Sequence, residues 1–338
     1  MLAVDGPPRL SGVRSMGFTA MGQLQGYDTA PFIPPHRRRG LQRIGLLLVG
    51  LGLLAALPMT ASATYPGSVD GRIATGITVD GNTDIYTFLP NGEALHRLTT
   101  DPLFDACPAW SADGKRIAWC HGVQRGGIVE VWSMKSDGTA KVQVTALGGR
   151  SLFPDYSPDG TRILFSAQPA GATNFDLFVI NADGTGLVQL TTDPGFDGNP
   201  AWSPDGDRIV FTSDRSGLGQ VYVMNADGAG AAQLTFDPVF KDQVPDWSPD
   251  GRQIAYAAGD PGDVLVMNAD GTDQHVVVGG PTDDFGTAWS PDGDQIAFVR
   301  FDDRTVYVVD ADGSNLHAVR PFGLQAVPGW QPRGNRLP

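Results

Sequence analysis

Acidic side chains at recurring positions are the residues of this chain best suited to chemistry. Asp101 and Asp105, Asp193 and Asp197, Asp237 and Asp242, and Asp283 and Asp284 fall in pairs along the sequence. Asp214, Asp260, Asp263, Asp302 and Asp303 add to them. Gathered on one face, such carboxylates could attract a cationic partner, hold Ca²⁺ through oxygen ligands, or act as acid and base on a substrate. No Asp-x-Asp-x-Asp-Gly spacing supplies a ready-made cation loop. A blander role competes: Asp101, Asp193 and Asp237 each precede proline and can simply close turns. Arg150 stands where an acid would continue the series.

Other chemistries find less support. There are five histidines. His96, His275 and His317 each lie four residues after the glycine of an Asn-Gly or Asp-Gly turn, so they occupy equivalent places in separate repeats and cannot converge on one metal. The sequence therefore calls for no metal centre and no cofactor, with Ca²⁺ the one ion that the acidic segments would suit. No Gly-x-Ser-x-Gly elbow is present to carry a nucleophilic serine. Cys107 and Cys120 flank the turn 112–114 symmetrically. In an antiparallel hairpin they would oppose each other within disulfide reach, and an exported protein would oxidise them.

The elements that must position these residues follow from a repeat. Ser-x-Asp-Gly begins at Ser68, Ser111, Ser157, Ser203, Ser248 and Ser290. An aromatic precedes it at Trp110, Tyr156, Trp202, Trp247 and Trp289, and returns at Trp330, with spacings of 41–46 residues. Each unit reads as a short buried strand a, a Pro-Asp-Gly turn, an apolar strand b, an alternating strand c, an Asp-Gly or Asn-Gly turn, and a short strand d. A period of this length with strand-like segments is the signature of β-propeller blades. Sets b-c-d occur six times from Arg72 onward, while strand a begins at Trp110 and ends at Trp330. The offset assigns residues 326–331 to the first blade as its missing inner strand. The expected fold is all-β: a six-bladed β-propeller of four-stranded antiparallel blades over 64–338, its ring closed by the C-terminal strand. The d–a and b–c loops would then emerge on one face and the a–b and c–d turns on the other.

Charge and the N-terminus bound the setting. Net charge is −13, and Arg37, Arg38, Arg39 and Arg43 belong to a leader, so the rest is more acidic still. Such a surface repels phosphate backbones and anionic lipid, which argues against a nucleic-acid partner. Those arginines, the apolar run 44–57 and Ala61-Ser62-Ala63 read as a signal peptide over 37–63, cleaved after Ala63 or retained as an anchor. Residues 1–36 lack hydrophobic periodicity and read as disordered or as an over-long start.

The order aromatic-Ser-Pro-Asp-Gly, then Val-Tyr-Val-Met-Asn-Ala-Asp-Gly, then Gln-Leu-Thr resembles the WD-like propeller repeat of the TolB family, over about 65–338. The resemblance implies a six-bladed propeller. It also implies an exported envelope protein, since TolB proteins bind peptidoglycan-associated lipoprotein and other envelope partners. It stops at the propeller, because the α/β domain that precedes it in TolB has no counterpart in 64–67. The function expected is a non-catalytic binding or scaffold module, periplasmic, in the cell envelope or secreted. Its partner would be an envelope or extracellular protein, cationic in character. The contact surface expected is the channel-mouth face of Asp105, Arg150, Asp197, Asp242, Asp283 and Asp284. The alternatives are an enzyme using paired Asp carboxylates on a small molecule or saccharide in the channel, and a purely structural envelope protein.

Overall fold

The computed structural model describes residues 71–123, 127–238, 244–321 and 328–331, all within the compact unit Val69–Pro338. The expected leader 37–63, residues 1–36 and Asp242 lie outside the described residues. All described regular structure is β-strand, and no helix among the described residues is long and apolar enough to cross a membrane.

The strands come in sets of four, here called blades. The first is Ile73–Val79, Asn82–Phe88 and His96–Arg97 with Gly329–Trp330. The second is Phe104–Trp110, Arg116–Gly122, Val129–Lys135 and Val142–Gln143. The third is Arg150–Tyr156, Arg162–Gln168, Asp176–Asn181 and Val188–Gln189. Next come Asp197–Trp202, Arg208–Ser213, Gln220–Asn225 and Ala232–Gln233, then Asp246–Trp247, Gln253–Ala258, Asp263–Asn268 and His275–Val278. The last is Asp284–Trp289, Gln295–Arg300, Thr305–Asp310 and His317–Pro321. Pairing within blades is antiparallel in the order a-b-c-d; one parallel bridge, Val129 to Arg150, joins the second and third blades into an eight-stranded sheet.

The a–b turn explains why Ser-x-Asp-Gly recurs. Each Ser Oγ donates to the Asp Oδ1 two residues on, at 2.5–2.7 Å in the second to sixth blades. It also accepts the backbone N–H that opens strand b, at 2.9–3.0 Å. The glycine adopts φ of 66–79°, open to glycine without steric cost. The middle of strand b is apolar because it packs on both faces. One position of it supplies Trp119, Phe165, Phe211, Tyr256 and Phe298, all fully buried. Each contributes about 1.5–3 kcal/mol through burial.

The core lies between blades. Six clusters are each shared by two neighbours, and one of them packs Ile73, Phe88 and Ile77 of the first blade on Ala297, Val306 and Val308 of the last. Arg162 and Arg208 stack over the tryptophans of the following blades, Trp202 at 4.8 Å and Trp247 at 4.5 Å. At the chain's end, Trp330 pairs with Ile73 and Gly329 with Ala74. Gln331 donates from its backbone to Arg72 O at 2.8 Å and from Nε2 to Gly114 O at 3.0 Å.

One feature departs from the expected regular hairpins. The inner strands carry a β-bulge, between Ala106 and Ala109, Leu152 and Asp155, Gly198 and Ala201, and Phe285 and Ala288. Cys107, Phe153 and Asn199 sit in it at φ of 51°. The extra residue re-aims the strand and shifts the register. Ala106, not Cys107, therefore opposes Cys120.

Candidate functional site

The inner strands wall a cavity of about 480 Å³. Residues 107–110, 153–156, 199–202, 244–247, 287–291 and 328–330 line it, with Ala112, Pro158, Pro204 and Pro249 at the rim. These rim residues belong to the a–b turns. The cavity thus opens on the turn end of the inner strands, and none of the expected contact residues among the described ones lines it.

Two carboxyls face this space. Asp155 and Asp246 stand one residue before the strand-a aromatic of the third and fifth blades, where the second, fourth and sixth have Ala109, Ala201 and Ala288. Asp155 Oδ2 accepts the backbone N–H of Trp202 at 2.7 Å, and Asp246 Oδ2 that of Trp289 at 2.7 Å. Each carboxyl therefore ties its blade to the next. Burial pushes both up to about 7, and for Asp155 the neighbouring charge of Asp246 adds to the rise. Protein encloses both groups, yet each is half-buried because its remaining edge opens on the cavity. An acid–base pair for catalysis would want environments that drive the two values apart; here both move to the same place.

The carboxylates expected to form an open acidic face mostly do not. Asp105, Asp197 and Asp284 are 0%, 0% and 2% exposed. The Arg215 guanidinium donates to both oxygens of Asp197 at 2.9 Å, and Arg300 donates to both of Asp284 at 2.8 Å. Contact at both oxygens neutralises a buried carboxylate, and Arg300 makes it as a two-nitrogen fork. Asp283 is half-buried, its Oδ1 accepting from Gly262 N at 2.9 Å. Arg150 is half-buried with its guanidinium 5.8 Å from the Phe175 ring, and burial lowers its pKa. Three of the expected contact residues are thus interior ion-pair members, and the loop end of the strands is less acidic than its composition suggests.

The expected disulfide is absent: Cys107 and Cys120 are free thiols. The bulge sets Ala106 opposite Cys120, while the Cys107 thiol still lies beside that of Cys120. Burial, then the adjoining Cys107 thiol, holds the Cys120 thiol well above its usual range. His96, His275 and His317 are exposed on outer strands, as their spacing requires.

His121 is the residue that reading the sequence missed. It opposes Asp105 across the a–b hairpin, and its Nδ1 lies 2.7 Å from Asp105 Oδ1. The hydrogen bond to Asp105 raises its pKa against the effect of burial. Asp101 Oδ1 is 3.8 Å from the same nitrogen. Among the described residues, Asp101, Asp105 and His121 form the one group with metal-ligand character. A hairpin centred on the turn 112–114 would have predicted the proximity, once the bulge was allowed for.

Four-stranded antiparallel sheets packed face to face around a shared cavity define a β-propeller. Residues 140–266 match the sequence model of the TolB β-propeller domain. Solved structures of similar fold include TolB from Acinetobacter baumannii, at 23% identity over 79% of this chain and 68% of that one, with a TM-score of 0.68. Putative TolB from Agrobacterium tumefaciens follows at 21% identity, covering 76% of this chain and 93% of the other, with a TM-score of 0.62. A chain of a nidogen–laminin complex is similar at 12% identity over 77% and 98%, with a TM-score of 0.65. Comparison with curated proteins gives no match. At these identities the likeness is one of fold.

Proposed function

We propose that this chain is an exported six-bladed propeller, closed by its last strand, that binds a partner without catalysis through the axial cavity. Closure is supported by the pairing of Gly329–Trp330 with the first blade and by the core shared between first and last blades. Export follows from the signal-like segment 37–63 and places the protein in the periplasm, the envelope or outside the cell. The observation that carries the function is the cavity itself. All the inner strands contribute to it, and its two carboxyls are held by backbone N–H groups instead of being paired with cations. Poised near 7, they would ionise on meeting a lysine or arginine of an envelope or extracellular protein. The partner is therefore one that inserts a cationic side chain. This moves the contact surface from the loop end, where the sequence put it, to the turn end.

One observation favours a second surface: Phe236, in the d–a loop after Ala232–Gln233, is 77% exposed. Photo-crosslinking separates the two. A benzoylphenylalanine at Ala112, which stands where four other turns have proline, should capture a partner from envelope extracts. The same probe at Phe236 should not. Capture at Phe236 alone would move the contact surface to the loop end.

A further inference from the structure

We propose that Asp101, Asp105 and His121 bind a divalent first-row transition ion, Zn²⁺ by the chemistry of the donors. The argument rests on how this fold treats the buried acid near the start of strand a. In the fourth and sixth blades that acid is Asp197 or Asp284, and an arginine guanidinium contacts both its oxygens. In the second blade the acid is Asp105, fully buried, and among the described residues no guanidinium reaches it. Trp119 Nε1 and His121 Nδ1 both approach Oδ1, at 2.7 Å each. Asp105 Oδ2 is buried with no hydrogen-bond partner. The His121 imidazole reaches one oxygen only, so this buried carboxylate lacks the contact at both oxygens that its counterparts have.

The surroundings supply what an ion needs. Asp101 Oδ1 lies 3.8 Å from His121 Nδ1, and one donor atom from each of the three residues falls within 4.8 Å of the others. Bonds of about 2.0–2.2 Å place tetrahedral donors roughly 3.4 Å apart, so Asp101 Oδ1 would move in and His121 Nδ1 would part from Asp105 Oδ1. Asp101 can make that move: its side chain is 40% exposed on a loop, and it leaves a side open to water for the remaining positions. The imidazole is held edge-on by Trp132, with ring centroids 4.9 Å apart, and Trp119 braces Asp105 from behind. Such outer contacts orient ligands before an ion arrives. An imidazole with two carboxylates selects zinc-like ions over Ca²⁺, which takes oxygen donors in greater number. Binding through Nδ1 would displace any proton on that nitrogen of His121. The ion would pin the d–a loop to the second hairpin and replace the missing guanidinium.

The test is zinc uptake by the full chain carrying no histidine tag, read by calorimetry and by thermal shift with ZnCl₂ and, in parallel, CaCl₂. One Zn²⁺ per chain is expected, with a rise in melting temperature that equimolar Ca²⁺ does not give. Asp101→Asn, a change on an exposed side chain, should weaken binding at least tenfold and leave the zinc-free melting temperature unchanged. His121→Gln should weaken it further where the variant folds. No stoichiometric uptake, uptake unaffected by Asp101→Asn, or an equal response to Ca²⁺ would overturn the proposal.

Discussion

Replacing both cavity carboxyls, Asp155→Asn and Asp246→Asn, should make the protein less sensitive to alkaline pH. Each carboxyl titrates near 7 in the folded chain and near 3.8 when unfolded. Between those values the folded state holds protons that the unfolded state has released. The stability they contribute is therefore complete below about pH 4 and is lost as pH rises through about 7. The gap is equivalent to roughly 4 kcal/mol per carboxyl at about 1.36 kcal/mol per pH unit. Water in the cavity reaches both groups and reduces this to roughly half. From pH 5.5 to 8.5, above the pI of about 4.6, about half of the remainder is expressed. The wild type should then lose roughly 2 kcal/mol from the two groups together, or about 4–8 °C in melting temperature. The amide oxygen of asparagine still accepts from Trp202 and Trp289, so the double variant keeps both ties without the charge. His121, whose pKa Asp105 raises, titrates alike in both proteins, so the difference isolates the two aspartates. Thermal melts at half-unit intervals of pH provide the assay. Parallel curves for wild type and variant would refute the assignment of these groups as neutral ties.

Arg300→Ala should cost about 3–5 kcal/mol, because it strands the buried Asp284 without its cation; urea denaturation measures it, and a loss below about 1 kcal/mol would show that Asp284 finds another partner or protonates without strain. In native protein, iodoacetamide should leave Cys120 unmodified, since the thiol is buried with a raised pKa, and should label it once urea is added. Stoichiometric labelling of Cys120 without denaturant, read by peptide mass spectrometry, would contradict that burial.

The sequence made the repeat legible because turn chemistry and strand patterning act locally. Ser203-Pro204-Asp205-Gly206 and Arg208–Ser213 could be assigned from their residues alone. The bulge could not. It needs a residue at positive φ; the sixth blade has Gly286 there, but nothing in Cys107 or Phe153 announces it. Missing it cost the register of the cysteine pair. The acidic loops misled for a different reason. Sequence counts charges but not their partners, and the arginines that neutralise Asp197 and Asp284 lie 18 and 16 residues away. Asp155 and Asp246 looked like ordinary strand residues because their raised pKa values arise only when blades meet. His121 was passed over because its meaning depends on what stands opposite it.

The cavity, its paired carboxyls and the partner they would receive all depend on the last strand locking onto the first blade. Deleting residues 324–338 tests this most directly. It removes the pairing of Trp330 with Ile73 and the bonds from Gln331 to Arg72 and Gly114. A loss of roughly 4 kcal/mol, or a melting temperature lowered by about 8 °C or more, is the expected result. A truncated chain that melts within about 1–2 °C of the full one would contradict closure and the account built on it.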